Sequence, residues 1–105
     1  MYPYYQHRII SPNINGFYMT DYGPMTLTVE HNGRVYGNYT LKGKNVRGAI
    51  NGTITGNVLT GHWHQTNYVD GELRFTFSPD GQSFQGLWSY NYATPSMPWN
   101  GKKVI

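Results

Sequence analysis

The 105-residue chain contains no cysteine. Its absence excludes disulfides, thiolate nucleophiles and thiolate metal ligands together. A cytoplasmic protein is therefore expected, with export after processing left open. Charged residues are also scarce, at 12% of the chain, and the net charge of +3 comes from scattered lysines and arginines. Scattered charge does not form the basic patch of a nucleic-acid-binding protein, so nucleic acid is not expected as a partner.

Long apolar runs are absent as well, so no helix is expected to span a membrane. The first ten residues, MYPYYQHRII, lack the basic flank followed by an apolar run that marks a secretory signal. Residues 1–15 show no alternation of apolar and polar positions and predict an extended aromatic arm. We expect this arm to dock, either across the barrel mouth as a lid or on a neighbouring subunit, rather than to remain a free tail.

Aromatic residues and glycine are abundant instead, with ten Tyr, four Phe, three Trp and 13 Gly. This composition disfavours helix and favours strands joined by tight turns. A glycine followed two residues later by an aromatic recurs four times, at Gly16 and Tyr18, Gly37 and Tyr39, Gly61 and Trp63, and Gly86 and Trp88. Successive repeats are about one two-stranded hairpin apart, so four of them predict eight strands.

The predicted strands are 16–20, 24–31, 34–41, 46–54, 58–65, 71–78, 82–90 and 98–104. Turn signals at Asn32-Gly33, Gly56-Asn57 and Asp80-Gly81 separate several of them. Alternation within the strands indicates an antiparallel sheet that is wet on one face. Residues 16–105 are therefore predicted to form one all-β domain, an eight-stranded up-and-down barrel, because a two-sheet sandwich would need a long crossover that the chain lacks.

In this arrangement the chain resembles the avidin and streptavidin family, a branch of the calycin barrels. The resemblance rests on Gly16, Tyr18, Gly23, the apolar run 25–29, the segment 37–39, and the stretches VLTGHWHQT and SFQGLWSY. It implies a barrel with a ligand pocket and a loop between the third and fourth strands that closes over the ligand. Thr20 and Pro24 stand where that family has an asparagine and a serine that bind biotin. Of the family's polar biotin-binding residues, only the tyrosine has a counterpart in this chain, which is Tyr39. We therefore expect biotin to bind weakly or not at all.

Alternate turns of such a meander lie at opposite ends of the barrel, and the first, third, fifth and seventh turns are predicted to be the longer ones. They bring aromatic, amide and ammonium groups to one open mouth, a combination that suits a planar or anionic polar small ligand. The predicted ligand-binding residues are Tyr22, Tyr39, Lys42, Lys44, Asn45, Tyr68 and Tyr92.

The sequence does not predict an enzyme, because its few carboxylates are scattered and no histidine is in register with them to form a base and nucleophile pair. His62 and His64 share the outer face of a strand without a carboxylate near in sequence, so neither a metal site nor a cofactor is expected. The expected function is small-ligand binding without catalysis. The alternative is a structural or protein-interaction module: side chains fill the barrel interior, and the protein acts through an oligomer interface. A homo-oligomer is compatible with both functions.

Overall fold

The computed structural model describes residues 11–105, and within this range it contains strands and loops but no helix. Its strands are β1 Gly16–Thr20, β2 Gly23–Val29, β3 Arg34–Thr40, β4 Arg47–Thr55, β5 Val58–Gln65, β6 Asp70–Phe77, β7 Ser83–Tyr90, β8 Met97–Pro98 and β9 Gly101–Lys103. The predicted all-β class is confirmed. No helix in the described range is long and apolar enough to cross a membrane.

The strands close into an antiparallel up-and-down barrel of eight positions. Each strand from β1 to β7 pairs with the next, and β9 pairs with both β7 and β1. β8 and β9 together occupy the eighth position, because both pair with β7 in one continuous register. Between them, the Trp99 amide still donates to the Gly86 carbonyl at 2.8 Å. The predicted eighth strand is thus present, with an interruption at Trp99 and Asn100.

Three glycines adopt the positive φ that the turn signals predicted: Gly33 at 85°, Gly56 at 60° and Gly81 at 72°. Of the three connections predicted to be tight, only the one between β4 and β5 is a two-residue turn, formed by Gly56 and Asn57. The predicted contrast in loop length is wrong for the β1–β2 connection. This loop consists of Asp21 and Tyr22 alone, because the Thr20 hydroxyl accepts from the Tyr22 amide and donates to the Gly23 carbonyl.

Four inward aromatic rings pack over glycines that lie directly opposite them on the neighbouring strand. The pairs are Tyr39 with Gly48, Trp63 with Gly71, Phe75 with Gly86, and Phe84 with Gly101. A Cβ atom at any of these glycines would collide with the partner ring. Glycine, which has no Cβ, therefore makes room for the aromatic ring directly across the strand pair.

One end of the barrel is filled by its own side chains. Tyr18, Phe77 and Phe84 pack edge to face or tilted, and Phe75 stacks on Phe84 with ring centroids 4.2 Å apart. Ile14 is completely buried here, and its carbonyl accepts a 2.7 Å hydrogen bond from the Tyr18 hydroxyl.

The described part of the predicted N-terminal arm, residues 11–15, belongs to this filled end. Asn15 accepts from the Val29 amide at 2.8 Å, and the Asn13 carbonyl accepts from Lys103 at 2.7 Å. These residues therefore do not lie across the open mouth as a lid. The docking predicted for residues 1–10 lies outside the described residues.

Candidate functional site

The other end of the barrel encloses a cavity of about 120 Å³. Eight residues line it, and six of them are aromatic: Tyr22, Tyr39, Leu41, Trp63, Gln65, Trp88, Tyr90 and Trp99. The chain has three tryptophans, and all three are in this lining. The cavity therefore concentrates the largest aromatic side chains of the protein in one place.

The cavity deepens from a partly exposed rim to a buried floor. Tyr90 at the rim is 51% exposed, and Tyr22, Leu41, Gln65 and Trp88 are half-buried. Tyr39, Trp63 and Trp99 are at least 96% buried and lie deeper. A ligand entering from solvent would therefore meet Tyr90 first and the tryptophans below it.

Neighbouring rings of the lining meet at steep angles. Tyr22 lies at 85° to Trp88 and 84° to Trp99, with ring centroids 6.1 and 5.7 Å apart. Trp88 is inclined at 82° to Trp63 and 89° to Tyr90. Tyr39 is inclined at 79° to Trp99. Adjacent rings are thus arranged like the walls of a box, an arrangement that aromatic pairs prefer because a positive edge meets a negative face.

Most of the polar atoms between these rings bond to one another or to the backbone. Trp88 Nε1 donates to the Tyr22 hydroxyl at 3.1 Å, and that hydroxyl donates to the Pro98 carbonyl at 3.1 Å. The Tyr39 hydroxyl donates to Gln65 Oε1 at 2.8 Å. These bonds fix the rings and leave few free polar groups on the wall.

Thr20 anchors the Trp99 side of the lining. Trp99 Nε1 donates to the Thr20 hydroxyl at 3.0 Å. The same hydroxyl accepts from the Tyr22 amide and donates to the Gly23 carbonyl, so it is fully occupied. Thr20 is thus a structural support beneath the cavity.

Two features distinguish the buried floor. Trp63 Nε1 is buried and has no hydrogen-bond partner among residues 11–105. An unpaired buried donor costs about 1–3 kcal/mol, so this atom marks a place where the wall is not optimised for stability. Burial also raises the pKa of the Tyr39 hydroxyl well above its ordinary value. Tyr39 therefore stays protonated, and the floor carries no charge near neutral pH.

Sequence-predicted site residues divide into two groups. Tyr22 and Tyr39 line the cavity. Five others are exposed and do not line it: Lys42, Lys44, Asn45, Tyr68 and Tyr92. Lys42 is held at the mouth through its backbone, because its amide donates to the Tyr22 carbonyl at 2.8 Å. Its side chain forms no recorded hydrogen bond with a residue of the lining. Tyr68 is 98% exposed.

Tyr92 is displaced because the last loop folds back over the outer wall. Asn91 adopts a left-handed conformation with φ of 58° and turns the chain away from the mouth. The Ser89 hydroxyl then donates to the Ala93 carbonyl, and the Ser96 amide donates to the Trp88 carbonyl at 3.0 Å. Ser89, which alternation places on the wet face, is consequently buried under this loop.

Six lining residues were not among the predicted site residues: Leu41, Trp63, Gln65, Trp88, Tyr90 and Trp99. Alternation along β5 and β7 assigns Trp63, Gln65, Trp88 and Tyr90 to the inner face, so strand parity is the signal that identifies them. Trp99 shares the parity of Gly101, which lies opposite inward-facing Phe84. Following the inner face to the end of each strand would have identified the tryptophans better than the loop composition did.

The surroundings of His62 differ from the sequence prediction. Its Nδ1 lies 2.9 Å from Glu72 Oε2 and its Nε2 lies 3.1 Å from Asp70 Oδ2, both across the β5–β6 pair. No carboxylate lies next to His62 along the chain, and both are brought to it by strand pairing. The expectation that no histidine is in register with a carboxylate is wrong, because His62 lies opposite Glu72 and His64 opposite Asp70. The hydrogen bond to Glu72 is the main reason that the pKa of His62 is raised; desolvation lowers this pKa, and the hydrogen bond to Asp70 raises it further. In residues 11–105 no three His, Asp or Glu side chains form a group that could hold a metal ion.

Fold and cavity together define a closed, eight-stranded antiparallel barrel with an aromatic cavity at one end. This architecture is compatible with the avidin-like and wider calycin barrels. No family model matches the chain, and neither a curated protein nor a solved structure matches it.

Proposed function

We propose that this protein is a small-ligand-binding barrel without catalytic activity, and that the aromatic cavity is its binding site. The observation that carries the proposal is the lining itself, in which six of eight residues are aromatic and all three tryptophans of the chain take part. A core made only for stability is close-packed, whereas this one leaves about 120 Å³ unfilled at one end. Concave sites lined by aromatic side chains are the usual form of small-molecule pockets.

The size and charge of the cavity restrict the ligand. Pockets for drug-sized molecules measure about 300–1,000 Å³, so a cavity of about 120 Å³ suits a small molecule or one small group of a larger molecule. Lys42 and Lys44 are not in the lining, so the anionic ligand expected from the sequence has less support than a ring or another apolar group.

The lining also supports binding rather than catalysis. It contains no carboxylate and no histidine. Its hydroxyls belong to Tyr22, Tyr39 and Tyr90, and burial keeps the deepest of them, on Tyr39, neutral. A general base next to a nucleophile, which covalent catalysis needs, is not part of this wall.

Membership of the avidin-like group is proposed at the level of architecture only, and biotin is not proposed as the ligand. Thr20 and Pro24 occupy the positions of two biotin-binding polar residues. The Thr20 hydroxyl is already committed to three protein groups. Pro24 borders a shallow depression on the outer wall together with Phe17 and Thr26.

The alternative function, a module acting through an oligomer interface, is supported by outward apolar side chains. Tyr36 is 39% and Leu87 41% exposed. Their strand positions place them on the outer wall, away from the cavity. Native mass spectrometry measures the oligomeric state as well as bound ligand, so a stable oligomer of an unliganded parent would favour this alternative.

Filling the cavity tests the proposed function. Leu41→Trp places a large ring at a half-buried lining position, and Lys42→Trp adds the same ring at the next, exposed position as a control. Native mass spectrometry of protein taken directly from cells should show a bound small molecule on the parent and on Lys42→Trp, and a strongly reduced adduct on Leu41→Trp. Thermal unfolding verifies that both variants are folded. An unliganded parent, or an adduct equally abundant on Leu41→Trp, would contradict the proposal.

A further inference from the structure

We infer that the group bound in the aromatic cavity is a methylated ammonium cation, such as a trimethylammonium head. This inference rests on the proposed function, because it names the ligand class of the same site. Three properties of the cavity support it: the faces and angles of its rings, the state of its polar atoms, and its size.

The rings supply the attraction. Aromatic faces carry partial negative charge, and a cation within about 6 Å of a ring centroid is attracted to them, most strongly by tryptophan. Three tryptophans and three tyrosines line the cavity. Because adjacent rings meet at 64–89°, a compact group at the centre can contact several walls at once.

The polar atoms of the wall explain why the cation would be methylated. A primary ammonium or a polar heterocycle carries donors and acceptors that need partners when they are buried. Here the hydroxyls of Tyr22 and Tyr39 and the indole nitrogens of Trp88 and Trp99 already bond within the protein. The unpaired Trp63 Nε1 is itself buried within the wall. A quaternary ammonium has no N–H group, so it requires no hydrogen-bond partner.

The size and charge are consistent with this class. A cavity of about 120 Å³ has room for a compact group of a few heavy atoms, such as a trimethylammonium head. No lysine, arginine or histidine is in the lining to repel a cation. Asp21, which accepts from the Asn100 amide at 2.9 Å, lies at the same end of the barrel as the exposed Lys42 and Lys44, so the attraction for a cation comes from the rings and not from the charge of the loops.

Choline and its carbon isostere test the inference. The isostere is the neutral alcohol in which carbon replaces the quaternary nitrogen, so the two probes share shape and differ in charge. Calorimetric titration should show choline binding roughly five- to thirtyfold more tightly, the range expected for a partly to fully desolvated cation against aromatic faces. Phenol, a planar neutral ring, should bind more weakly than choline.

Fluorinated tryptophan provides a second readout that is independent of shape. Because all three tryptophans line the cavity, biosynthetic replacement with fluorotryptophan alters this site and no other tryptophan. Fluorine withdraws electron density from the ring face, so choline affinity should fall while the affinity of the isostere stays the same. Tyr90→Leu should also weaken choline binding, whereas Tyr92→Leu, at an exposed tyrosine outside the lining, should not.

The outcomes separate this inference from the proposed function. If the isostere binds as tightly as choline, or if phenol binds most tightly, the cation assignment is wrong while ligand binding in the cavity stands. If none of the three probes binds, the inference is also overturned. In that case the native mass spectra of the parent and Leu41→Trp decide separately whether the cavity holds a different ligand.

Discussion

At the scale of single residues, the recurring packing contact of this fold is a glycine directly opposite an aromatic ring on the neighbouring strand. Tyr39 packs over Gly48, and its hydroxyl bonds to Gln65 at 2.8 Å in the cavity wall. A Cβ atom on Gly48 would overlap the Tyr39 ring and its hydroxyl. The same contact therefore serves both barrel packing and the shape of the cavity.

Gly48→Ala tests this contact. Forcing the Tyr39 ring to move should lower the free energy of unfolding by about 1–3 kcal/mol, the usual cost of overpacking a core. It should also change tryptophan fluorescence, because Tyr39 packs on Trp99 with ring centroids 5.0 Å apart. Denaturant unfolding followed by fluorescence measures both effects.

Gly43→Ala is the control for that measurement. Gly43 has a φ of 76°, and a Cβ there meets nothing within 4 Å. Its substitution should cost only about 1 kcal/mol for the left-handed backbone and leave the native fluorescence unchanged. Equal losses of stability and an unaltered spectrum in both variants would show that the Tyr39 contact has no special role.

At the scale of elements, the strands were predictable and the loops were not. Alternation and the positive-φ glycines are local signals, so the strands of the barrel lie within about one or two residues of their predicted bounds, apart from the interrupted last strand. The path of the last loop depends on the Asn91 turn and on the Ser89 bond to Ala93, which no local pattern encodes. The sequence therefore predicts Tyr92 at the mouth, which is wrong, whereas strand parity correctly assigns Trp63 and Trp88 to the inner face.

The pairing of β5 with β6 produces a second testable feature, the contacts of His62 with Glu72 and Asp70. A raised pKa means that the folded state binds the proton more tightly than the unfolded state. The resulting stabilisation is therefore complete below the unfolded pKa of about 6.5 and is lost as the pH rises through the folded pKa. Since His62 is 36% exposed, we expect only about 0.2–1 kcal/mol.

Urea unfolding at a series of pH values measures this effect. The parent should lose stability as the pH rises from about 6 towards 9. His62→Gln should flatten that slope, and His64→Gln, the next outward position of β5, should leave it intact. An unchanged slope in His62→Gln would show that the carboxylate contacts do not persist in solution.

At the scale of the whole molecule, the barrel is divided into a filled end and a hollow end. Ile14 and the rings of Tyr18, Phe75, Phe77 and Phe84 close one end. The tryptophans surround unfilled space at the other. The sequence predicted the barrel, and the end at which it placed the ligand site is the hollow one. It could not predict how far the rings fill the interior, because that depends on rotamers and cross-strand contacts.

The most direct test of a binding site in this cavity is the set of indole N–H signals in a nitrogen-15 correlation spectrum. The chain has three tryptophans, so each signal reports on one wall of the cavity. Titration with the molecule that co-purifies with the protein, or with choline where none is found, should shift these signals along one common saturation curve. Saturable shifts at Asn32, Asn57 and Asp80 or around Tyr92, with the indole signals unchanged, would contradict the account.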